Sequence, residues 1–269
     1  MTASPRVALL CETYHEINGV ALTARQLVAY AKRNDLPLLA VHGGKQPGTW
    51  EEGQVRRIEL ERSWASVGIE RDLEYDFFFW RYGKRIRKEL QLFRPDVIHI
   101  TSPGELGQLG VYLSRRLNVP LVASWHTNFH QFAARRLHKL IGFLPAKVSR
   151  PAVVWSENQG LRVLLWFYNF ASVTLAPTPP QVTWLEKELR KPSFLMPRGV
   201  DGEQFNRKHR TVSDKTLRLG FVGRVTPEKG VRLFREIEKE LVSRGVEDFR
   251  IMIVGAGSER TKPAATGAT

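Results

Sequence analysis

The feature that most constrains this chain is a recurring alternation of a short β-branched or aliphatic run, a polar loop, and an apolar stripe at helical spacing. Arg6 to Glu12 is the first such run, bounded by polar residues as a strand buried in a parallel sheet would be. After Asn18 and Gly19, the positions Val20, Leu22, Leu27, Val28 and Ala31 put an apolar stripe on one face of a helix. Pro37 to Val41 and Val55 to Leu60 predict two further strands. This order of elements defines a doubly wound α/β class with a Rossmann-like opening.

The same rhythm continues through the middle of the chain. Val97 to Ile100 predicts a strand, and Ser102 with Glu105 has the spacing of a helix capping box. Leu106, Leu109, Val111, Leu113 and Leu117 carry that helix to Asn118, and Pro120 to Trp125 forms the next strand. His126-Thr127-Asn128-Phe129 then lies beyond a strand's carboxyl end, where open α/β sheets place their ligands. Arg135 to Tyr168 predicts two amphipathic helices. Val173 to Ala176 predicts a strand, Thr178-Pro179 caps a helix reaching Leu189, and Phe194 to Met196 is a last strand.

Composition shifts at residues 202–216, which are polar, basic and poor in aliphatics, as a linker should be. The expected organisation is a first domain over 1–201, this linker, a β-α-β segment over 217–257 and a disordered tail over 258–269. Within the second part, Leu217 to Gly223 predicts a strand, Thr226-Pro227 opens a helix, and Phe249 to Val254 predicts a second strand.

Charge narrows the partners. The 41 Lys and Arg against 27 Asp and Glu leave a formal +14, a surface that attracts anions, whether nucleic acid, acidic membrane or phosphorylated small molecules. No nucleic-acid recognition module or zinc spacing accompanies the charge, so nucleic acid is not expected as a partner. Cys11 is the single cysteine and sits in an apolar run, which fits a buried thiol and a reducing compartment. With no secretory signal pattern and no run near the ~20 residues that span a bilayer, the expectation is a cytoplasmic protein, peripheral to the inner face of a membrane at most.

Five segments, in order, resemble the retaining family 4 glycosyltransferases of the GT-B fold, especially the bacterial mannosyltransferase and sulfoquinovosyltransferase-like branch. They are Asn18-Gly19-Val20, Pro95 to His99, Ser124 to Phe129, Arg198-Gly199-Val200-Asp201 followed by Phe205, and Gly223-Arg224 with Pro227 to Gly230. The resemblance implies a GT-B-type Rossmann-like N-terminal domain on the acceptor side, followed by the opening of a second Rossmann-like domain. It implies transfer of a hexosyl unit, mannosyl or glucosyl-like, from a GDP- or UDP-linked sugar to a lipid or glycan acceptor. No metal and no cofactor beyond that nucleotide-sugar substrate are expected.

Carried over residue by residue, the resemblance makes Arg224 and Lys229 clamps on the donor diphosphate. It makes Gly19 the point where backbone comes close to a phosphate at a helix entrance, a position that a turn glycine would also explain. His126 falls where the family has a histidine near the transferred sugar, in a front-face mechanism where the donor phosphate, not this imidazole, takes the acceptor proton. Asn18 and Asn128 are the acceptor-side candidates. His99, within a strand, is read as structural. The basic run Arg81, Lys84, Arg85, Arg87 and Lys88 behind Phe77-Phe78-Phe79-Trp80 fits contact with anionic membrane or a plain solvated face.

Two departures stand out. The family's EX7E acidic pair is absent from these 269 residues, and Phe205 is followed by Asn206 where relatives often step to proline. The expectation is therefore a chain of enzymatic lineage with little or no transfer activity alone. A non-catalytic acceptor- or partner-binding module is the alternative, and a dinucleotide oxidoreductase is disfavoured because the first loop lacks G-x-G-x-x-G.

Overall fold

A computed structural model of the chain describes residues 4–16, 18–70, 73–126, 146–203, 205–210 and 214–257. The chain divides into two compact units, one ending at Gly199 and one beginning at Val200.

The first unit is built on an eight-stranded sheet. Its strands are β1 (Val7–Cys11), β2 (Leu38–Gly44), β3 (Gly48–Glu52), β4 (Val55–Glu61), β7 (Val97–Ile100), β8 (Leu121–Ser124), β9 (Val173–Ala176) and β10 (Ser193–Leu195), with β5 (Ser66–Glu70) and β6 (Leu73–Asp76) forming a separate antiparallel hairpin. The order across the large sheet is β10-β9-β8-β7-β1-β2-β4-β3, parallel throughout except for β3 on the edge. Helices α1 (Gly19–Arg33), α2 (Gly83–Phe93), α3 (Glu105–Leu117), α4 (Ala146–Tyr168) and α5 (Pro179–Leu189) accompany it. β1 shows why the sheet is doubly covered. Leu9 and Cys11 point into a core with Ala24, Val28 and Ala31 of α1, while Ala8 and Leu10 join the core containing Ile86, Leu90, Leu106, Leu109 and Leu113 of α2 and α3.

Most predicted strands and helices of this unit are present, and three differences have physical causes. β3 has no apolar alternation and is recruited by the open edge of β4, while β5 and β6 are short strands that pair only with each other. The Ser102–Glu105 capping box does not form. Helix α3 starts at Glu105 with Gly104 as a cap lacking a side-chain bond, because Ser102 turns to Glu12 and Glu105 to Arg62. Arg81 belongs to a 3₁₀ turn over Phe79–Tyr82 and not to the basic helix, and its guanidinium bonds Asp76. Of the two helices expected over 135–168, the described one is α4; the stretch 127–145 lies outside the described residues.

In the second unit, β11 (Leu217–Val222) pairs in parallel with β12 (Phe249–Val254), connected through α6 (Leu233–Ser243). Phe221 and Phe234 meet edge to face at 5.9 Å, and Val225 and Val231 are buried. The helix expected from Thr226 does not begin there. Pro227–Lys229 makes one 3₁₀ turn, Gly230 enters the left-handed region at φ 64°, and α6 starts at Leu233. The tail over 258–269 lies outside the described residues.

Candidate functional site

The chain winds outward from β1 through β2 and β4, then returns to β7 on the other side, so the carboxyl ends of β1 and β7 flank the topological switch point of the sheet. Three segments leave strands at that edge: the β1–α1 loop, the β7–α3 loop and Trp125-His126 after β8.

The β1–α1 loop ends in the helix entrance. Asn18 is the N-cap, its Oδ1 accepting the amide of Ala21 at 2.8 Å, so helix capping by itself accounts for this acceptor-side candidate. Gly19 follows, and the space where its side chain would stand is filled. A Cβ there would lie 1.6 Å from Nη1 of Arg198. The Arg198–Gly199 segment is pinned to α1 by Gln26, whose Nε2 donates to the Gly199 carbonyl at 2.9 Å. The guanidinium thus joins the partial positive charge of the helix N-terminus, which concentrates an anion-attracting field at one point.

His126 lies in the field of the same arginine. Burial first, and the charge of Arg198 second, push its pKa down to about 4. Both ring nitrogens are buried without a hydrogen-bond partner among the described residues. An imidazole this weakly basic is neutral at physiological pH and is a poor acceptor of a hydroxyl proton, though well able to hydrogen-bond one. His99, in β7, is instead satisfied: it is buried, with Nε2 2.6 Å from Ser124 Oγ.

The switch point itself is closed by side chains. Glu12, at the end of β1, accepts the Ser102 hydroxyl on one oxygen and the Gly107 amide at 2.8 Å on the other. Arg62 reaches in from beyond β4, with Nη2 donating to the Glu12 carbonyl at 2.8 Å and Nη1 bonded to Glu105. Burial, reinforced by the charge of Glu105, lifts the Glu12 pKa to about 7. A glycine is required at 107, because a Cβ there would meet the Ser102 carbonyl oxygen at 1.9 Å. The N-terminus of α3 is therefore served internally by Glu12, whereas that of α1 faces Arg198.

In the second unit Arg224 is half-buried between β11 and the 3₁₀ turn, and Lys229 is exposed at the end of that turn. Lys229 closes the 3₁₀ turn and lies four residues before α6 begins at Leu233. In the first unit Gly19 and His126 are brought together by a shared neighbour, Arg198, while Asn128 lies outside the described residues. Arg198 is the functional candidate that the sequence motif contained without a role. The available signal was a cation placed directly after the last strand of the first unit.

A two-unit Rossmann-like architecture with an anion-attracting helix entrance at the switch edge defines a GT-B-type protein. The chain belongs to Glycosyltransferase Family 4, whose model matches residues 17–204. It falls with the mannosyltransferase and sulfoquinovosyltransferase-like branch of that family. A GDP-mannose-dependent alpha-mannosyltransferase of Mycolicibacterium smegmatis is 31% identical over 278 residues, covering 96% of this chain and 64% of that protein. Sulfoquinovosyl transferase SQD2 of Arabidopsis thaliana is 25% identical over 190 residues, covering 64% of this chain and 32% of that protein. The chain spans about three-fifths of the length of the curated mannosyltransferases it matches. Among solved structures, a trehalose-6-phosphate synthase superposes with a TM-score of 0.54 at 11% identity, covering 94% of this chain and 64% of that one, a likeness of fold alone.

Proposed function

We propose that the chain is the acceptor-side part of a retaining, nucleotide-sugar-dependent hexosyltransferase, with GDP-mannose the favoured donor and a lipid or glycan the acceptor. The observation that carries this reading is the Gly19 entrance of α1, where Arg198 occupies the missing side chain's place beside a neutral, half-buried His126. The relatives' dependence on GDP-mannose supports the choice of donor.

Transfer breaks the bond between the anomeric carbon and the diphosphate, so negative charge grows on the leaving oxygen and must be met by cations and amides. Arg224 and Lys229 are the proposed diphosphate ligands of the second unit. Arg198 with the α1 entrance is the proposed anion seat of the first unit. His126 bonds sugar hydroxyls, and the acceptor proton passes to the departing phosphate.

Binding is tested without turnover. GDP-mannose and GDP should bind the 269-residue chain, and Arg224→Ala or Lys229→Ala should each weaken binding by about 10- to 100-fold, the worth of one charge-assisted bond to phosphate. Equal affinity of the double variant and the parent, followed by equilibrium dialysis, would count against the assignment.

The lipid side of the proposal rests on one surface. Trp64, Phe77, Phe78 and Trp80 are exposed beside the hairpin and the 3₁₀ turn, and Lys84, Arg85, Arg87 and Lys88 are exposed on the following α2. Phe79 does not take part, being buried in the core, and Arg81 is tied to Asp76. Aromatic residues beside a cationic helix face fit a headgroup layer rich in anionic lipid. No described helix is long and apolar enough to cross a membrane. Co-sedimentation with vesicles should increase with phosphatidylglycerol content, fall with salt, and drop severalfold when the four cations of α2 become alanine. Sedimentation indifferent to lipid charge would sink this part.

A further inference from the structure

The α1 face of the large sheet is apolar near the strand starts and turns polar at the carboxyl ends. In register there, Cys11 of β1 lies beside His42 of β2, and His42 beside Glu59 of β4. The β1–α1 loop folds back over these positions and delivers Tyr14 and His15. His15 Nε2 stands 2.8 Å from Glu59 Oε2, and one ligand atom from each of His15, His42 and Glu59 lies within 4.8 Å of the others.

We propose that His15, His42 and Glu59 form a binding site for a divalent first-row transition-metal ion, with zinc as the natural occupant. In a tetrahedral zinc site with bonds of ~2.0–2.1 Å, ligand atoms stand roughly 3.3 Å apart, so closure needs adjustments of about an ångström. Two histidines and a carboxylate are a recurrent zinc set that leaves one position open, and His15 lies on the solvent side of the cluster.

Hydrogen bonds and ring packing fix the orientation of these side chains, as the outer partners of metal ligands do in general. His42 Nδ1 lies 3.0 Å from the Gly43 carbonyl oxygen, which only accepts, so the proton is on Nδ1 and the Nε2 lone pair faces the cluster. Glu59 accepts the Gln46 amide at 2.8 Å on Oε1, which leaves Oε2 for the ion. The Tyr14 ring stacks on His42 at 4.2 Å and fixes the imidazole plane.

Arg57 stands in the ion's place. Its Nη1 donates to His42 Nε2 at 3.2 Å and lies 3.7 Å from Glu59 Oε2, the two acceptors the metal would use. The same guanidinium packs over the Trp50 ring at 3.9 Å, which gives it a resting position once displaced. Metal and Arg57 therefore compete. An ion in the site would tie the β1–α1 loop to β2 and β4 only three residues before the Asn18 cap, and so order the approach to Gly19.

The test is Zn²⁺ titration of the whole chain against a chromophoric chelator, with Mg²⁺ as control and Co²⁺ absorption reporting coordination. One equivalent of Zn²⁺ should bind, with His15→Ala and His42→Gln each weakening it about tenfold or more and Arg57→Gln tightening it. His209→Ala, at an exposed histidine outside the cluster, should change nothing. Because His42 is buried and its variant could lose the fold, His15→Ala, on the exposed loop residue, carries the decision. No stoichiometric binding, or binding that His15→Ala affects no more than His209→Ala does, overturns the proposal.

Discussion

Raising the pH from 4.5 to above 7 should lower the stability of the first unit by about 3 kcal/mol through Glu12 alone, and Glu12→Gln should remove that loss. The folded chain holds the Glu12 proton up to about pH 7, while an unfolded carboxyl releases it near 4.5. Between these values the native state binds more protons than the unfolded one, so each upward step in pH favours unfolding. Stability from this group is complete below 4.5 and gone above about 7. A glutamine keeps an oxygen for the Gly107 amide and can donate to Ser102 Oγ, so the packing survives while the buried charge does not. All seven tryptophans lie at or before residue 184, so fluorescence-detected urea unfolding reports the first unit. Parallel pH profiles for the chain and the variant would refute the account.

Acid should act through the opposite linkage. His99 is buried in β7, and its pKa falls from 6.5 to about 4, through burial first and the charge of His126 second. Below 6.5 the unfolded chain takes up a proton that the folded chain refuses. The stability is therefore whole above 6.5 and declines as the pH drops toward 4, by about 3 kcal/mol for this residue. His42 and His126 are held neutral by burial too and push in the same direction. His99→Gln, which can still reach Ser124 Oγ, should make the acid limb of the profile shallower without moving the alkaline limb. An unchanged acid limb would show that His99 is hydrated and titrates normally. Together the two effects place the stability maximum of the first unit near the crossing of the histidine and Glu12 windows.

Much of the fold was legible in the residues because its determinants are local. β1, β2, β7, β8, β9, β11 and β12 are short runs rich in apolar residues, β4 sets Val55, Ile58 and Leu60 among charged residues, and α1 and α3 carry their stripes at 3.6-residue spacing. β3 was not legible, since Gly48-Thr49-Trp50-Glu51-Glu52 has no apolar alternation and pairs only because β4 offers an open edge. The Thr226-Pro227 start was misleading for a related reason. Good helix-opening residues were followed three positions on by Gly230, whose left-handed conformation ends the turn.

The site divides in the same way. His126 could be picked out in sequence because it lies just beyond a strand end, and Gly19 because it opens a helix, and both are read from apolar runs. What that reading could not supply was distance. Ser102 and Glu105 have the spacing of a capping box, yet Glu12, 90 residues from Ser102, takes the hydroxyl, because the fold brings a buried carboxyl group that needs a partner within reach of it. Arg198 reaches Gly19 across 179 positions, and Glu59 reaches His15 across 44. The amino-acid order by itself determined the α/β class, the sheet-forming runs and the family, because those follow from periodicity and short motifs. Which charges meet, which histidines are neutral and where a cation or an anion can be held were decided by the tertiary structure, because desolvation and pairing depend on neighbours that only the folded chain assembles.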